Sequence, residues 1–205
     1  MKNWNGNKNS IYKTLGASNH VKDERAEYDY YATDPIAIDK LLKVEKPFKH
    51  IYECAAGEGH LAQRLKDNGY TVTTSDIIER NYKLDFVQDF LKMSTSGLGS
   101  NEEYDILTNP PYKYAKEFVL KALSMIKENR KVYMFLKLTF LEGKARYKEL
   151  FSKYPPKSVY VFSERVLCAK NAEFQKMKEG GGSAVAYAWY VWEKGFQGKT
   201  EIEWI

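Results

Sequence analysis

His50-Ile51-Tyr52-Glu53-Cys54-Ala55-Ala56-Gly57-Glu58-Gly59-His60-Leu61-Ala62-Gln63-Arg64-Leu65 is the stretch that decides how this chain folds. An apolar strand, roughly His50 to Ala55, runs into two glycines and then into a helix with Leu61, Ala62 and Leu65 on one face. Gly69 follows where a left-handed residue stops such a helix. Small residues at the turn let a ligand approach the backbone, and the helix start offers free N–H groups to an anion. The run is not the dinucleotide G-x-G-x-x-G, because Ala62 stands where the third glycine belongs. Glu53 closes the strand with a negative charge that suits a cationic amine. A lone glycine turn is an ordinary connection, so its weight comes from its surroundings.

Downstream, strands are expected at Thr71 to Asp76, near Lys83 to Phe86, at Tyr104 to Thr108 and at Val132 to Leu138. A helix from Ala115 to Lys127 should bury Phe118, Val119, Ala122, Leu123 and Ile126. The run Val132 to Leu138 is apolar at nearly every residue, as in a strand covered on both faces. Upstream, Thr33-Asp34-Pro35 caps a short helix carrying Ile36, Ile38, Leu41, Leu42 and Val44, which Pro47 ends. Alternating strands and helices predict a doubly wound, Rossmann-like α/β sheet. Ser158 to Phe162 and Ala184 to Trp192 are joined by a loop without a helix, so that pair should be antiparallel. The sheet is then mostly parallel with an antiparallel last strand. The loop itself, Arg165 to Ser183, is far longer than a hairpin turn and contains Lys170, Phe174, Lys176, Lys178 and Gly180-Gly181-Gly182-Ser183. Asp76, at the end of the second sheet strand, can accept hydrogen bonds from both hydroxyls of a ribose. With Glu53 it suits a nucleoside bearing an amino acid and no pyrophosphate.

The chain has 205 residues, 43% hydrophobic and 29% charged, which fits one well-buried domain and excludes collagen-like or broadly disordered classes. Residues 1 to about 30 are polar, with no sustained apolar period, and read as an arm that orders against a partner. No apolar run approaches the ~20 residues of a membrane helix, and the start is too polar for a signal peptide, so a cytoplasmic location is expected. Cys54, Cys168 and three histidines, His20, His50 and His60, supply neither a disulfide framework nor a four-ligand zinc site, so no metal is expected. The net charge of +5 is modest, but residues 130 to 157 hold eight basic residues against Glu142 and Glu149. On its own that stretch reads as a solvated face.

Asn109-Pro110-Pro111-Tyr112 directly follows the strand ending at Thr108. Consecutive prolines hold the backbone extended, so the Asn109 amide oxygen and the Pro110 carbonyl can present two acceptors at one point. A planar amino group placed there donates two hydrogen bonds, while the Tyr112 ring stacks on the attached heterocycle. Accepting both protons draws the nitrogen lone pair out of conjugation and makes a poor nucleophile better. Neither cysteine follows a proline in a catalytic loop, which disfavours thiolate attack on carbon 5 of cytosine.

With these motifs in order, the sequence resembles the S-adenosylmethionine-dependent amino methyltransferases, most closely the phage-type DNA adenine-N6 enzymes also found in restriction–modification settings. The resemblance runs from about Leu15 to Gly195. It includes Gly16-Ala17-Ser18-Asn19-His20, Asp29-Tyr30-Tyr31-Ala32-Thr33-Asp34-Pro35, the glycine turn, Ser75-Asp76, Asp89-Phe90-Leu91, Asn109 to Tyr112 and the strand Tyr187 to Gly195. It implies that Tyr31, Thr33 and Pro35 hold the methionine end of the cofactor, with Glu53, Ala55, Gly57 and Gly59 lining it. Asp76 would take the ribose and Asp89 the adenine amino group, with Phe90 or Ile77 against the adenine ring. Asp85-Phe86 nearly duplicates Asp89-Phe90; Asp89 is preferred because Leu91 fits the family pattern and Asp85 lies inside the expected strand.

The reaction implied is in-line methyl transfer to N6 of an adenine in DNA, flipped from the duplex or single-stranded. Lys137, Lys144, Arg146 and Arg165 become candidates for phosphate contacts. Residues 31 to 205 would form one catalytic domain without a separate target-recognition domain, acting as a monomer or weak homodimer. The same four-residue motif also serves enzymes that methylate a protein glutamine or an RNA base, guanine N2 or adenine N6. Cytosine N4 and a non-catalytic subunit are the remaining rivals; intact Asn109 to Tyr112 and Gly57 to Gly59 argue against the last.

Overall fold

The computed structural model describes residues 31–99, 101–170, 174 and 185–205. The polar arm before residue 31, the Gly16 to His20 motif and most of the 171–184 loop lie outside the described residues.

Strand β1 (Tyr31–Thr33) leads into helix α1 (Ile36–Leu41), whose first turn is held by the Asp34 carboxylate accepting from the Ile36 N–H at 3.1 Å. Strand β2 (His50–Glu53), helix α2 (His60–Asp67) and strand β3 (Thr71–Asp76) form a parallel crossover. Strand β4 (Phe86–Val87) extends it by two residues, beginning later than the sequence predicts. Asp85, just before it, is tied to Thr74 by backbone and side chain alike: its N–H donates to the Thr74 carbonyl at 3.2 Å, and its carboxylate accepts from the Thr74 N–H and hydroxyl at 2.7 and 2.8 Å. A second crossover joins β5 (Asp105–Thr108), α3 (Ala115–Met125) and β6 (Lys131–Lys137). After it come α4 (Lys144–Arg146), running into a π-type turn at Tyr147–Phe151, then β7 (Ser158–Val161), β8 (Cys168–Lys170), β9 (Tyr187–Glu193) and β10 (Glu201–Trp204).

Eight strands form one sheet in the order β10-β7-β9-β6-β5-β2-β3-β4, and β1 and β8 pair antiparallel as a separate ribbon. Strand β9 is antiparallel to both its neighbours, as the sequence predicts. Beyond it β10 adds an edge strand parallel to β7 that the sequence analysis did not foresee; its Glu-Ile-Glu-Trp alternation spans only four residues, all of them exposed. Side chains alternate between two cores, as period-2 pleating requires. Val132, Met134 and Leu136 of β6 face a core with α3, while Tyr133 and Phe135 face one with α1 and α2. On β9 Tyr190 and Trp192 join the first core and Trp189 and Val191 the second. Both indole N–H groups are satisfied, Trp189 by the Ala37 carbonyl at 2.9 Å and Trp192 by that of Tyr154 at 3.0 Å.

Strand order reverses between β2 and β5: the chain leaves β2 for β3 on one side and reaches β5 on the other. In open α/β sheets such a reversal opens a crevice at the carboxyl ends of the strands. Glu53 and Asn109 stand there, at the ends of β2 and β5.

Candidate active site

A cavity of about 630 Å³ occupies that crevice, within the range of small-molecule sites. Its wall includes Tyr31 and Thr33 from β1, Glu53 and Ala55 after β2, and the run Asn109 to Tyr112 after β5. Asp76, Ile77, Asp89 and Phe90 complete the set that the sequence brought forward. Three predicted residues stand behind the wall instead. Pro35 caps α1, with φ −55°. Gly57 and Gly59 shape the turn, at φ +57° and +71°, conformations that cost a residue with a Cβ.

The Gly57 turn aims its N–H at the Asp76 carboxylate, 2.8 Å away. Arg80 lies 3.6 Å from the other Asp76 oxygen, so this buried carboxylate is charge-compensated while remaining on the wall. Asp89 caps the short turn Phe90–Lys92, accepting from the Leu91 N–H at 3.1 Å, and pairs with Lys92 at 3.1 Å. Of the two near-duplicate aspartates, Asp89 is on the wall and Asp85 is not. Phe90 is buried against Phe118, ring centroids 5.0 Å apart, whereas Ile77 is 51% exposed on the wall, an apolar surface that a flat ligand would cover.

Glu53 is buried, and its Oε2 has no hydrogen-bond partner. Burial, with the charge of Asp76 nearby, pushes its carboxyl well above the usual carboxylate range, offset in part by the Ala62 main-chain N–H. An orphaned carboxylate oxygen in that setting fits a cationic amine.

Asn109 is held from one side only. Its amide nitrogen donates to the Tyr31 carbonyl at 3.0 Å and to the Thr33 hydroxyl at 2.9 Å. A carbonyl cannot donate, so the atom facing Tyr31 must be the amide nitrogen, which fixes the other atom as oxygen. That Oδ1 is buried without a partner. The backbone of Pro111, φ −56° and ψ +118°, is extended as two prolines dictate.

Tyr112 anchors its hydroxyl 3.3 Å from the Cys168 sulfur, and its ring stacks on Tyr187 with centroids 6.1 Å apart. Cys168 is the residue that sequence reasoning missed. It reaches the site because β1 and β8 pair with Thr33 opposite Cys168, a contact across the chain with no periodic signal. Burial raises its thiol pKa against hydrogen bonds from Tyr112 and Asn109, so it sits as a neutral thiol. Cys168 lies behind the wall, whereas His60 and Arg80 line the cavity itself, likewise unforeseen.

The basic candidates divide. Lys137, at the end of β6, places its ammonium 5.0 Å over the Tyr112 ring. Lys144 and Arg165 are exposed. Arg146 is bound within its own segment: its guanidinium donates to the carbonyls of Phe140 at 2.8 Å, Thr139 at 3.2 Å and Glu142, and lies over the Phe140 ring. Those donors close the 138–146 segment and leave it a structural staple. Among the described residues, no helix is long and apolar enough to cross a membrane.

No protein-family model matches this sequence, and no curated protein does. Solved structures share the fold. A candidate hemolysin from Lactococcus lactis superposes with TM-score 0.56 at 12% identity, covering 82% of this chain and 89% of its own. A candidate class I S-adenosylmethionine-dependent methyltransferase from Listeria monocytogenes gives 0.54 at 12% identity, covering 95% and 69%. The type IIG restriction endonuclease BpuSI gives 0.52 at 12% identity, with 89% of this chain matched to 27% of that one. The chain therefore has the doubly wound, Rossmann-like methyltransferase fold, mostly parallel with one antiparallel strand.

Proposed function

We propose that this protein is an S-adenosylmethionine-dependent methyltransferase that modifies the exocyclic N6 of adenine in DNA. The observation that carries the reading is the Asn109 amide: both N–H bonds of its nitrogen are taken, and its buried oxygen lacks a donor on the wall of a ligand-sized cavity. The residues present fit the cofactor by the same logic. Glu53 would take the cationic amine, Asp76 the ribose hydroxyls and Asp89 the adenine amino group, with Ile77 covering the ring. When bound, S-adenosylmethionine supplies an electrophilic methyl on a sulfonium sulfur.

The chain's own residues then do the remaining work. Asn109 Oδ1 and the Pro110 carbonyl would accept hydrogen bonds from the two N–H groups of the target amine, localise its lone pair and stabilise the positive charge that grows on nitrogen, one N–H proton then leaving to solvent. Tyr112 packs on the flipped base, its hydroxyl tethered at Cys168. Lys137, Lys144 and Arg165 contact phosphates and make binding salt-sensitive. The presence of this fold within a restriction endonuclease supports DNA as the substrate.

The test is transfer of labelled methyl to duplex DNA, single-stranded DNA, ribosomal RNA and a release factor offered separately. Label is expected in DNA, as N6-methyladenine; label confined to RNA or protein rejects the reading. Asn109→Ala should lower kcat by about 100-fold or more, the loss seen when one preorganised polar group is removed from a reacting centre. Its cofactor Kd should stay within a fewfold.

A further inference from the structure

We infer that Thr33 is a positioning residue for Asn109, acting on the target amine through that amide. The inference rests on the reading of Asn109 given above. A primary amide has two N–H bonds and can rotate about its last side-chain torsion, which is broad and roughly two-fold. Here both N–H bonds find acceptors, the Tyr31 carbonyl at 3.0 Å and the Thr33 hydroxyl at 2.9 Å. Together they define one plane for the amide and leave Oδ1 as the open acceptor.

The two partners contribute differently. The Tyr31 carbonyl decides which end is nitrogen, because a flipped amide would set oxygen against oxygen. The Thr33 hydroxyl decides the tilt, because with one partner removed the amide can swing about the remaining hydrogen bond. Thr33 itself is fixed: it is 2% exposed, and its backbone sits in β1 opposite Cys168 of β8. The Cys168 sulfur, 3.5 Å from the same amide nitrogen, is a third and weaker acceptor on that side. The β1–β8 ribbon thus splints the catalytic turn from a part of the chain 76 residues away.

Thr33→Val keeps the shape and the β-branch of the side chain and removes the acceptor. Loss of one neutral hydrogen bond predicts a fall in kcat of about tenfold. The Kd for S-adenosylmethionine and the KM for DNA should both move less than about twofold, as expected for an interaction that acts only on the reacting group. Thr33→Ser, which restores a hydroxyl, should recover most of kcat. An unchanged kcat with a weakened cofactor Kd would assign Thr33 to the cofactor and overturn the inference.

A second readout needs no substrate. The Asn109 side-chain NH₂ pair, assigned in ¹⁵N spectra by its disappearance in Asn109→Asp, should exchange slowly in the wild type and faster in Thr33→Val. If that exchange is insensitive to Thr33, the positioning role fails whatever the activity. If it responds while DNA takes no label, the positioning role stands and the DNA reading falls.

Discussion

Glu53 shows how a single side chain records an absent partner. Its carboxyl is buried with one oxygen unsatisfied, an arrangement that costs free energy unless a cation arrives. The sign of the resulting pH dependence follows from linkage. A carboxyl with a raised folded-state pKa keeps its proton after the unfolded chain has lost its own, so stability drains away as pH climbs above the ordinary carboxylate range. Glu53→Gln removes that cost. The thermal midpoint of the cofactor-free variant should match the wild type near about pH 4 and exceed it at about pH 8. Its affinity for S-adenosylmethionine should fall. A midpoint difference that fails to widen with pH would mean that Glu53 in the folded protein ionises over the ordinary carboxylate range.

At the scale of elements, the glycine turn is a fitted part. Gly59 adopts φ +71°, and a Cβ there would run into the ring of Tyr82. The ring is tethered at its far end, where Lys66 donates to its hydroxyl at 2.9 Å. Gly59→Ala should therefore destabilise the fold by at least the roughly 1–2 kcal/mol of a left-handed L-residue. Adding Tyr82→Ala should return the steric share and leave the backbone share. In urea unfolding the pair then shows a coupling above about 0.5 kcal/mol. Strict additivity would place Tyr82 elsewhere than over the turn. The same turn delivers the Gly57 N–H to Asp76, so stability and ligand geometry share one loop.

Across the whole molecule, Glu45 ties distant strands together at the end of the sheet away from the cavity. Buried after α1, it accepts from the Lys131 ammonium at 2.6 Å, the Tyr133 hydroxyl at 3.2 Å and the Tyr160 hydroxyl at 2.8 Å. These partners lie on β6 and β7. Glu45→Ala strands two phenols and a cation; Lys131 retains 21% of its side-chain exposure, so the loss should fall near the lower end for a broken buried pair, roughly 3 kcal/mol. Methyl transfer measured well below both unfolding midpoints should be unchanged. Loss of activity in a folded Glu45→Ala would mean that strain at the far end reaches the site.

Much of this was legible in the sequence because it is written in local periods. Strands β2, β3, β5, β6, β7 and β9 and helices α2 and α3 announce themselves by apolar spacing, and Gly57, Gly59 and the Asn109 to Tyr112 turn by residues whose conformations are restricted. The antiparallel setting of β9 is expected because the sequence between β7 and β9 shows no apolar helical period. What remained hidden depends on pairing. Strands of three residues such as β1 and β8 are too short to show a period, so nothing local joins Thr33 or Cys168 to Asn109. Asp85 and Asp89 look alike until one is seen bonding Thr74 and the other facing the cavity. Arg146 reads as one more positive charge until three carbonyls claim it. Local order sets the elements, because spacing and backbone restriction act over a few residues. Only long-range packing decides which side chains meet, because a hydrogen bond depends on positions that no neighbouring residue encodes.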